Sequence, residues 1–249
     1  MTASPTPLLD FSPLDSERFG RRIFRANLAD VDAPKLRAAL EEQQVDTLIL
    51  RLPADKTSGL VNLLDVGLAP IYADTQVHYE TTLRDRELRD SAVRLVPAGS
   101  GDAAQLRTLA RSIFADYSSH YAANPLLASA AIADGYADWA VRLLGAPHHP
   151  AWFVCRDDVI VGFSACHLDA ATRVARGVLN GIHPGYRGAG NYREMLHAML
   201  RHARESAMDS FVITTQVHNI AVQRAWASAG LKLQRVDITI HINSNFGRA

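Results

Sequence analysis

Residues 177–196 read GVLNGIHPGYRGAGNYREML, and this stretch decides the fold. An apolar strand stops at Pro184, a glycine-rich turn follows, and a helix begins after the turn. Gly188 and Gly190 let the backbone approach a ligand closely, and the first amides of the helix can receive an anion with the help of the helix dipole. Arg187 adds a positive charge. The segment predicts a phosphate site, against the simpler alternative of a tight turn.

Two widespread phosphate motifs do not fit this segment. A P-loop requires Lys-Ser or Lys-Thr after its glycines, and neither follows here. The dinucleotide fingerprint requires a third glycine, which is absent at the necessary distance from Gly188 and Gly190. The sequence therefore indicates a diphosphate that belongs neither to ATP nor to NAD.

The C-terminal half alternates between strands and helices around this loop. Strands are predicted over 92–96, 152–155, 159–168, 174–182, 211–215 and 236–242, and helices over 102–114, part of 125–144, 191–207 and 220–228. Arg156-Asp157-Asp158 has the composition of a hairpin turn, and Gly230 that of a helix C-cap. The pattern is typical of an α/β fold with a mixed sheet.

The N-terminal half shows a shorter pattern of the same kind. After an N-terminal coil come a helix around Leu36 and Leu40, a buried strand over 47–52, a helix begun by Ser58 and ended at Gly67, and a strand over 71–83. The chain is long enough for one large domain or two ordinary ones. The charged stretch 84–91 predicts a boundary there, which gives domains 1–90 and 91–249.

The two halves also contain a candidate internal repeat. A shift of 163 positions places residues 47–78 over 210–241 without a gap, so that Gly67 falls on Gly230. Both glycines follow a predicted helix and precede a predicted strand. The alternative is chance, because strand-helix-Gly-strand units are common.

Composition excludes several classes of partner. The chain has 26 basic and 26 acidic residues and no basic run, so no nucleic acid partner is expected. Its start lacks a signal peptide pattern and no apolar run reaches membrane-spanning length, which predicts a soluble, cytoplasmic protein. Cys155 and Cys166 are expected as reduced core residues rather than nucleophiles. The histidine spacing predicts no metal site.

The loop resembles that of a known family. The strand, the segment Pro184–Gly190 and the helix are similar to the acyl-CoA pyrophosphate loop of GNAT N-acetyltransferases, although Tyr192 replaces a small residue. A second hallmark follows in the correct order, with Asn219 at a helix start and Ala229-Gly230 after it. The resemblance extends over residues 92–242 and implies a GNAT fold preceded by a smaller, degenerate GNAT-like half.

This resemblance implies an acyl-CoA-dependent N-acyltransferase that uses acetyl-CoA or another short acyl-CoA and no metal. The residues carried over as cofactor-binding are Ile182, Arg187, Gly188, Ala189, Gly190, Asn191, Tyr192, Asn219 and Trp226.

Trp226 is a departure from the family. Many members have a tyrosine seven residues after the asparagine, where it protonates the departing thiolate. An indole N–H donates a hydrogen bond but is not a useful acid. Tyr192 or Tyr121 can replace that acid, or the thiolate leaves without one; we favour the latter, because a thiol pKa lies not far above neutrality.

The acceptor is suggested by a looser similarity. Residues 15–20, DSERFG, and 114–139 resemble nucleotide-sugar N-acyltransferases that act on dTDP-linked amino-dideoxy sugars. Tyr117, His120, Tyr121 and Asn124 are the candidate substrate-binding residues. The alternative is that they form an amphipathic surface loop.

The catalytic candidates are His120, Tyr121 and Asn219. His120 can take the amine proton, because histidine titrates in the right range, or it can merely cap or pack while a water relay acts. His183 and the pair His148-His149 are expected to be loop residues. The carbonyl oxygen would be held by backbone amides of the strand before the loop.

Two other functions remain open at this point. One is a GNAT acetyltransferase for a peptide, protein or small-drug amine, since the fold does not determine the acceptor. The other is a noncatalytic acyl-CoA sensor, which the Trp226 substitution supports. A homodimer is a further candidate assembly, because the sequence does not determine the oligomeric state.

Overall fold

The computed structural model describes residues 8–127 and 132–244. In chain order the elements are β1 (Asp10–Phe11), α1 (Pro13–Phe19), β2 (Ile23–Asn27), α2 (Ala33–Glu42), β3 (Thr47–Pro53), α3 (Val61–Asp65), β4 (Pro70–Thr82), β5 (Arg94–Pro97), α4 (Ala103–Ile113), α5 (Ile132–Arg142), β6 (Ala151–Arg156), β7 (Val159–Asp169), β8 (Val174–Ile182), α6 (Asn191–Glu205), β9 (Ser210–Gln216), α7 (Ile220–Ser228) and β10 (Lys232–Asn243). Parallel and antiparallel strand pairs occur together, so the predicted mixed α/β class is confirmed.

The chain divides into two compact units. Of the described residues, 8–76, 118–127 and 236–244 form the first unit, and 77–117 and 132–235 form the second. Strands β4 and β10 contribute residues to both units. Two of the three segments of the first unit therefore lie beyond residue 90 in the chain. These units are defined by contacts, and the division into domains 1–90 and 91–249 stays a prediction.

The second unit is built on five strands in the order β9-β8-β7-β6-β5. Only β8 and β9 are parallel among these pairs. Phe153 of β6 shares a core with Phe114, next to α4 and α5, whereas Trp152 shares a core with Met195 of α6 and Trp226 of α7. Neighbouring residues of β6 pack into different cores, because successive side chains of a strand point to opposite faces of the sheet.

The first unit contains the strand order β1-β2-β3-β10. Strand β2 runs parallel to β3, and β3 runs antiparallel to β10. Leu36 and Leu40 of α2 pack with Leu48 and Leu50 of β3 and with Ile240 of β10 in one apolar core. The helical spacing that predicted α2 is therefore confirmed by the face that this helix buries.

Two details of the N-terminal prediction are wrong. The expected coil contains β1, α1 and β2, and a five-residue strand such as β2 gives too short a pattern to stand out. Ser58 does not cap a helix, because it lies inside a 3-10 segment, Ala54–Leu60, that leads directly into α3. A capping residue needs a non-helical backbone, which a position inside that segment does not provide.

Several further local predictions agree with the structure, although β10 begins at Lys232, four residues before the predicted strand 236–242. Asp157 and Asp158 have φ values of 48° and 63° and form the predicted hairpin turn. Cys155 and Cys166 are free and buried, and burial raises the pKa of Cys166 to about 12. Of the predicted helical region within 125–144, residues 128–131 lie outside the described residues.

The strands and helix ends of the structure coincide under the shift that defines the candidate repeat. A shift of 163 positions carries β3, Thr47–Pro53, onto β9, Ser210–Gln216, at both ends. Gly67 and Gly230 have φ values of 73° and 79°, so both follow their helices in the left-handed conformation. The two units therefore contain strand-helix-strand segments of the same local construction.

Candidate active site

The parallel strands β8 and β9 pair along only part of their length. Val174–Gly177 of β8 pairs with Ser210–Ile213 of β9, and within the described residues the ladder ends there although β8 continues to Ile182. On its other edge β8 stays paired with β7 through Ile182. The second half of β8 therefore has one edge without a strand partner from β9.

This unpaired edge presents backbone amides. The His183 N–H donates to the Val161 carbonyl at 2.9 Å, which fixes the direction in which that residue faces. Successive residues of a strand point their hydrogen-bonding groups to opposite sides. The N–H of Gly181 therefore points to β7, and those of Asn180 and Ile182 point away from it.

The glycine turn leads into the next helix as predicted. Gly188 and Gly190 have φ values of 82° and 76°, a conformation that disfavours any side chain. A Cβ at Gly188 would meet no atom within 4 Å, so the space in front of the turn is open. Gly190 precedes α6 without a side-chain cap, which leaves the first amides of this helix for an anion.

Arg187 is tied to the backbone on both sides of the turn. Its Nε donates to the Ile182 carbonyl at 3.2 Å, and its Nη2 donates to the Ile113 carbonyl at 2.8 Å. Ile113 also packs against Gly181, where a Cβ would lie 2.5 Å from its side chain. Arg187 therefore orients the turn, and its exposed guanidinium keeps further N–H groups for a ligand.

Asn191 and Tyr192 anchor the start of α6. The Asn191 Nδ2 donates to the Tyr186 carbonyl at 2.9 Å, and its buried Oδ1 has no partner among the described residues. The Tyr192 hydroxyl donates to Asn180 Oδ1 at 2.9 Å and accepts from Trp226 Nε1 at 3.2 Å. Tyr192 thus connects α6, β8 and α7.

These bonds bear on acid catalysis. Burial raises the pKa of Tyr192 above its ordinary value, because the phenolate form would be poorly solvated. Trp226 is almost wholly buried and packs against Tyr79, with ring centroids 5.4 Å apart. Its N–H is already used by Tyr192, so Trp226 supports Tyr192 and lacks an acidic proton to give.

At the end of β9, Asn219 and Gln216 occupy the turn into α7. The Asn219 Nδ2 donates to Thr215 Oγ1 at 3.1 Å. The Tyr117 hydroxyl donates to Gln216 Oε1. Tyr117 also packs edge-on against Tyr136, at a centroid distance of 5.1 Å. Tyr117 is therefore held in an aromatic cluster of the second unit.

The other predicted acceptor residues belong to the first unit. His120 Nδ1 lies 2.9 Å from His241 Nε2, and the Tyr121 hydroxyl donates to Asp15 Oδ1 at 2.6 Å. The carboxamide of Asn124 donates to its counterpart on Asn243 at 2.9 Å and accepts from it at 3.1 Å. All three side chains are buried and hydrogen-bonded, and none forms an exposed loop surface.

Burial is the largest influence on the pKa values of His120, Tyr121 and His241. It lowers the pKa of His120 well below its ordinary value, and the charge of Arg25 lowers it further. Burial, followed by Arg25, lowers the pKa of His241 to about 4, and burial raises that of Tyr121 to about 12. Both imidazoles and the phenol are therefore neutral near pH 7.

Sequence reasoning missed several residues that the structure brings to these places. Asn180 had a visible signal, because it is a polar residue within the apolar run VARGVLNGI. Gln216 and His241 had none, since their partners lie 99 and 121 positions away in the chain. His183 and His149 are loop residues as predicted, bonded to Gly185 and Pro147.

Metal and membrane features are limited to what the described residues contain. No group of three or more histidine, cysteine, aspartate or glutamate side chains in 8–127 and 132–244 is placed to hold a metal ion. No helix in this part of the chain combines the length and apolar character needed to cross a membrane.

Comparison with known proteins agrees with the motifs. The model of the acetyltransferase (GNAT) family matches residues 109–231, just under half of the chain. No curated protein is similar enough in sequence to count as a match. The matched range includes the glycine turn, the open half of β8 and the start of α7.

Solved structures share the fold at low sequence identity. A GCN5-related N-acetyltransferase from Sphaerobacter thermophilus matches with a TM-score of 0.58 and 13% identity, over 83% of this chain and 65% of its own, just under two thirds. A conserved protein of unknown function from Staphylococcus epidermidis has a TM-score of 0.60 and 10% identity, over 98% and 94%. A protein from Novosphingobium aromaticivorans, described as a GNAT acetyltransferase, has a TM-score of 0.57 and 15% identity, over 96% and 90%.

The chain therefore has the GNAT fold. Residues 109–231 are similar to the acetyltransferase (GNAT) family, and at 10% to 15% identity the solved structures show the fold alone.

Proposed function

We propose that this protein is an N-acyltransferase that moves an acetyl or other short acyl group from coenzyme A to an amine. The observation that carries the proposal is the open second half of β8 beside a glycine turn at the start of α6. An extended thioester carrier needs both features, a strand edge with free amides and an anion-binding helix start.

The glycine turn and the start of α6 in the second unit could bind the diphosphate of such a carrier. The amides of Gly188, Ala189, Gly190 and Asn191 would hold the diphosphate, because they lie at the positive end of the α6 dipole. Arg187 shapes this turn and adds charge. The open space in front of Gly188 fits a ligand at this position.

The reaction centre would lie along the open edge of β8. The N–H groups of Asn180 and Ile182 are directed away from β7 and can donate to the thioester oxygen as the neutral amine attacks its carbon. The carbon–sulfur bond then breaks, and the amine loses a proton. The Trp226 N–H donates to the Tyr192 hydroxyl, and that hydroxyl donates to Asn180, which favours departure of the thiolate without a protein acid.

Catalytic roles for His120, Tyr121 and Asn219 are part of the proposal. His120 would accept the amine proton in its neutral form, which its lowered pKa favours, although the same shift weakens it as a base. A water relay is the alternative route for that proton. Asn219 would hold the start of α7 next to the carrier through its bond to Thr215.

The finer proposal is that the acceptor is a dTDP-linked amino-dideoxy sugar. It rests on the similarity of residues 15–20 and 114–139 to nucleotide-sugar N-acyltransferases. Tyr117, with Gln216 as its partner, offers an aromatic face and a polar edge of the kind that binds a base or a sugar.

One experiment tests both levels of the proposal. Saturating acetyl-CoA should raise the melting temperature by about 5 to 10 °C, since a ligand at 100 times its Kd stabilises by ~2.7 kcal/mol. Release of free thiol is then followed with dTDP-amino sugars, peptide amines and small amines. Absence of any shift with acetyl-CoA rejects the acyl-CoA proposal. Thiol release with peptides alone rejects the sugar acceptor, and a shift without release by any amine indicates a sensor.

A further inference from the structure

Beyond their last paired residues, β8 and β9 are separated by a gap that has a different lining on each face of the sheet. Ile213 of β9 packs in one core with Met195 of α6. Thr215 lies two residues further along β9, so its side chain points to the same face. Gln216 points to the opposite face, where it accepts from the Tyr117 hydroxyl. One face of the gap is therefore directed to α6 and α7, and the other to Tyr117.

Two aromatic side chains cover the face that is directed to α6 and α7. The Tyr192 hydroxyl donates to Asn180 Oδ1 of β8 at 2.9 Å and accepts from Trp226 Nε1 of α7 at 3.2 Å. Helix α7 follows β9 in the chain, and Asn219 before its first turn donates to Thr215 of β9. These bonds thus cross from β8 to the helix attached to β9. We call Tyr192 and Trp226 the aromatic floor of the gap.

The aromatic floor is held in position by the core behind it. Trp226 is 1% exposed and packs edge-on against Tyr79 of β4. Tyr192 packs against the same core but is only half-buried, so part of its surface is accessible to a ligand. Displacement of either ring would break a hydrogen bond and leave a void, and both changes reduce stability. The floor therefore resists movement by a larger ligand group.

Asn180 connects the aromatic floor to the proposed reaction centre. Its backbone N–H is directed away from β7 and is one of the two proposed donors to the thioester oxygen. Its side chain accepts from Tyr192. The reacting carbonyl and the Tyr192 hydroxyl would thus contact the same residue. Because the proposed acceptor residue Tyr117 lies on the other face, the acyl chain would extend toward the floor.

We propose that Tyr192 limits the transferred group to acetyl or propionyl. Its ring is fixed by a bond to β8 and a bond to α7, and closely packed side chains do not make room for added methylenes without strain. This limit rests on the proposed acyl-CoA site. It also provides a role for the large residue at position 192, where the loop resembles a family that has a small one.

Calorimetric titration of the full chain with CoA, acetyl-CoA, butyryl-CoA and hexanoyl-CoA measures the limit without an acceptor amine. The unaltered protein should bind hexanoyl-CoA about tenfold or more weakly than acetyl-CoA, because the longer chain overpacks the floor. In Tyr192→Ala each methylene that becomes buried should strengthen binding about fourfold. The ratio of hexanoyl-CoA affinity to acetyl-CoA affinity should then rise by about tenfold or more. Tyr192→Phe retains the ring and should retain the original ratio.

Trp139→Ala is the matched control. Trp139 of α5 is a half-buried aromatic residue that packs against the core on the opposite face of the sheet. Its loss should leave the affinity ratio unchanged. An equal rise in Trp139→Ala and Tyr192→Ala overturns the proposed limit, and so does an unchanged ratio in Tyr192→Ala. If Tyr192→Ala strengthened binding of unacylated CoA as much as that of hexanoyl-CoA, the ring would obstruct the carrier itself, and the limit on acyl length would be wrong.

Unacylated CoA separates the failure of this limit from the failure of the proposed function. If neither CoA nor acetyl-CoA binds, the acyl-CoA proposal is rejected and the limit with it. If acetyl-CoA binds and hexanoyl-CoA binds equally well, only the limit is rejected. Should Tyr192→Ala fail to fold, Tyr192→Leu opens a smaller space and should raise butyryl-CoA affinity relative to acetyl-CoA about fourfold. An unchanged ratio in Tyr192→Leu would then reject the limit.

Discussion

A parallel strand pair occurs in each unit, β2 with β3 in the first and β8 with β9 in the second, and the two pairs differ in the length over which their strands are paired. In the first unit all five residues of β2, Ile23–Asn27, pair with β3. In the second unit only Val174–Gly177 of the nine-residue β8 pairs with β9. A fully paired edge has no amide left for a ligand. A parallel pair thus leaves no open strand edge between β2 and β3 in the first unit, whereas in the second unit it leaves an edge of β8 accessible to an extended ligand.

The helices that follow β2 and β8, which are α2 and α6, also differ in whether their first amides are already hydrogen-bonded. In the first unit Asp32 caps α2 by accepting from the Lys35 N–H at 3.1 Å, and Asp30 accepts from Val31 at 2.8 Å. In the second unit Gly190 leaves the start of α6 uncapped. Carboxylates at a helix start satisfy its amides and repel a phosphate. Side-chain chemistry, rather than topology, therefore separates a structural helix start from a binding one.

The largest effect is expected at Gly190. Gly190→Val forces a branched side chain into a left-handed backbone, which costs about 1–3 kcal/mol, and it obstructs the approach of a diphosphate. Acetyl-CoA affinity, measured by calorimetry, should fall at least about tenfold. Gly20→Val is the matched control, because Gly20 has φ 61° after α1 in the first unit. It should lose similar stability and keep acetyl-CoA affinity. Equal affinity losses would remove the contrast between the units.

A smaller effect is expected at Asp32. Asp32→Ala should lower the free energy of unfolding by about 1 kcal/mol, measured with urea, because the first amides of α2 lose their cap. Acetyl-CoA affinity should not change. Asp32→Asn keeps the accepting oxygen without the charge and should retain most of the stability. If Asp32→Ala strengthened acetyl-CoA binding, the first unit would also contain a carrier site.

The smallest effect is local and concerns single amides. In hydrogen exchange followed by NMR, the amides of Asn180 and Ile182 should exchange faster than that of Gly181, which is bonded to β7. Saturating acetyl-CoA should slow them by about tenfold, or ~1.4 kcal/mol. The amides of Ile23–Asn27 serve as the internal control and should not respond. Protection that appeared in β2 instead would reverse the comparison.

The sequence predicted the second unit better than the first. Strand β8 and helix α7 were predicted to the residue, because glycine and proline mark their ends and their apolar patterns are long. Strand β2 was missed because five residues give little periodicity. The repeat register was visible as a gapless alignment, and it stays a prediction, because a left-handed glycine such as Gly67 or Gly230 follows many unrelated helices.

The sequence by itself determined the glycine turn, the helix that follows it and the order of strands around them, since these depend on local conformational preferences. Only the tertiary structure decided that β8 and β9 separate after Gly177 and that His120 meets His241 across 121 positions. The physical reason is that hydrogen-bond partners and burial are set by contacts between distant segments. No local pattern specifies which buried atom is left without a partner.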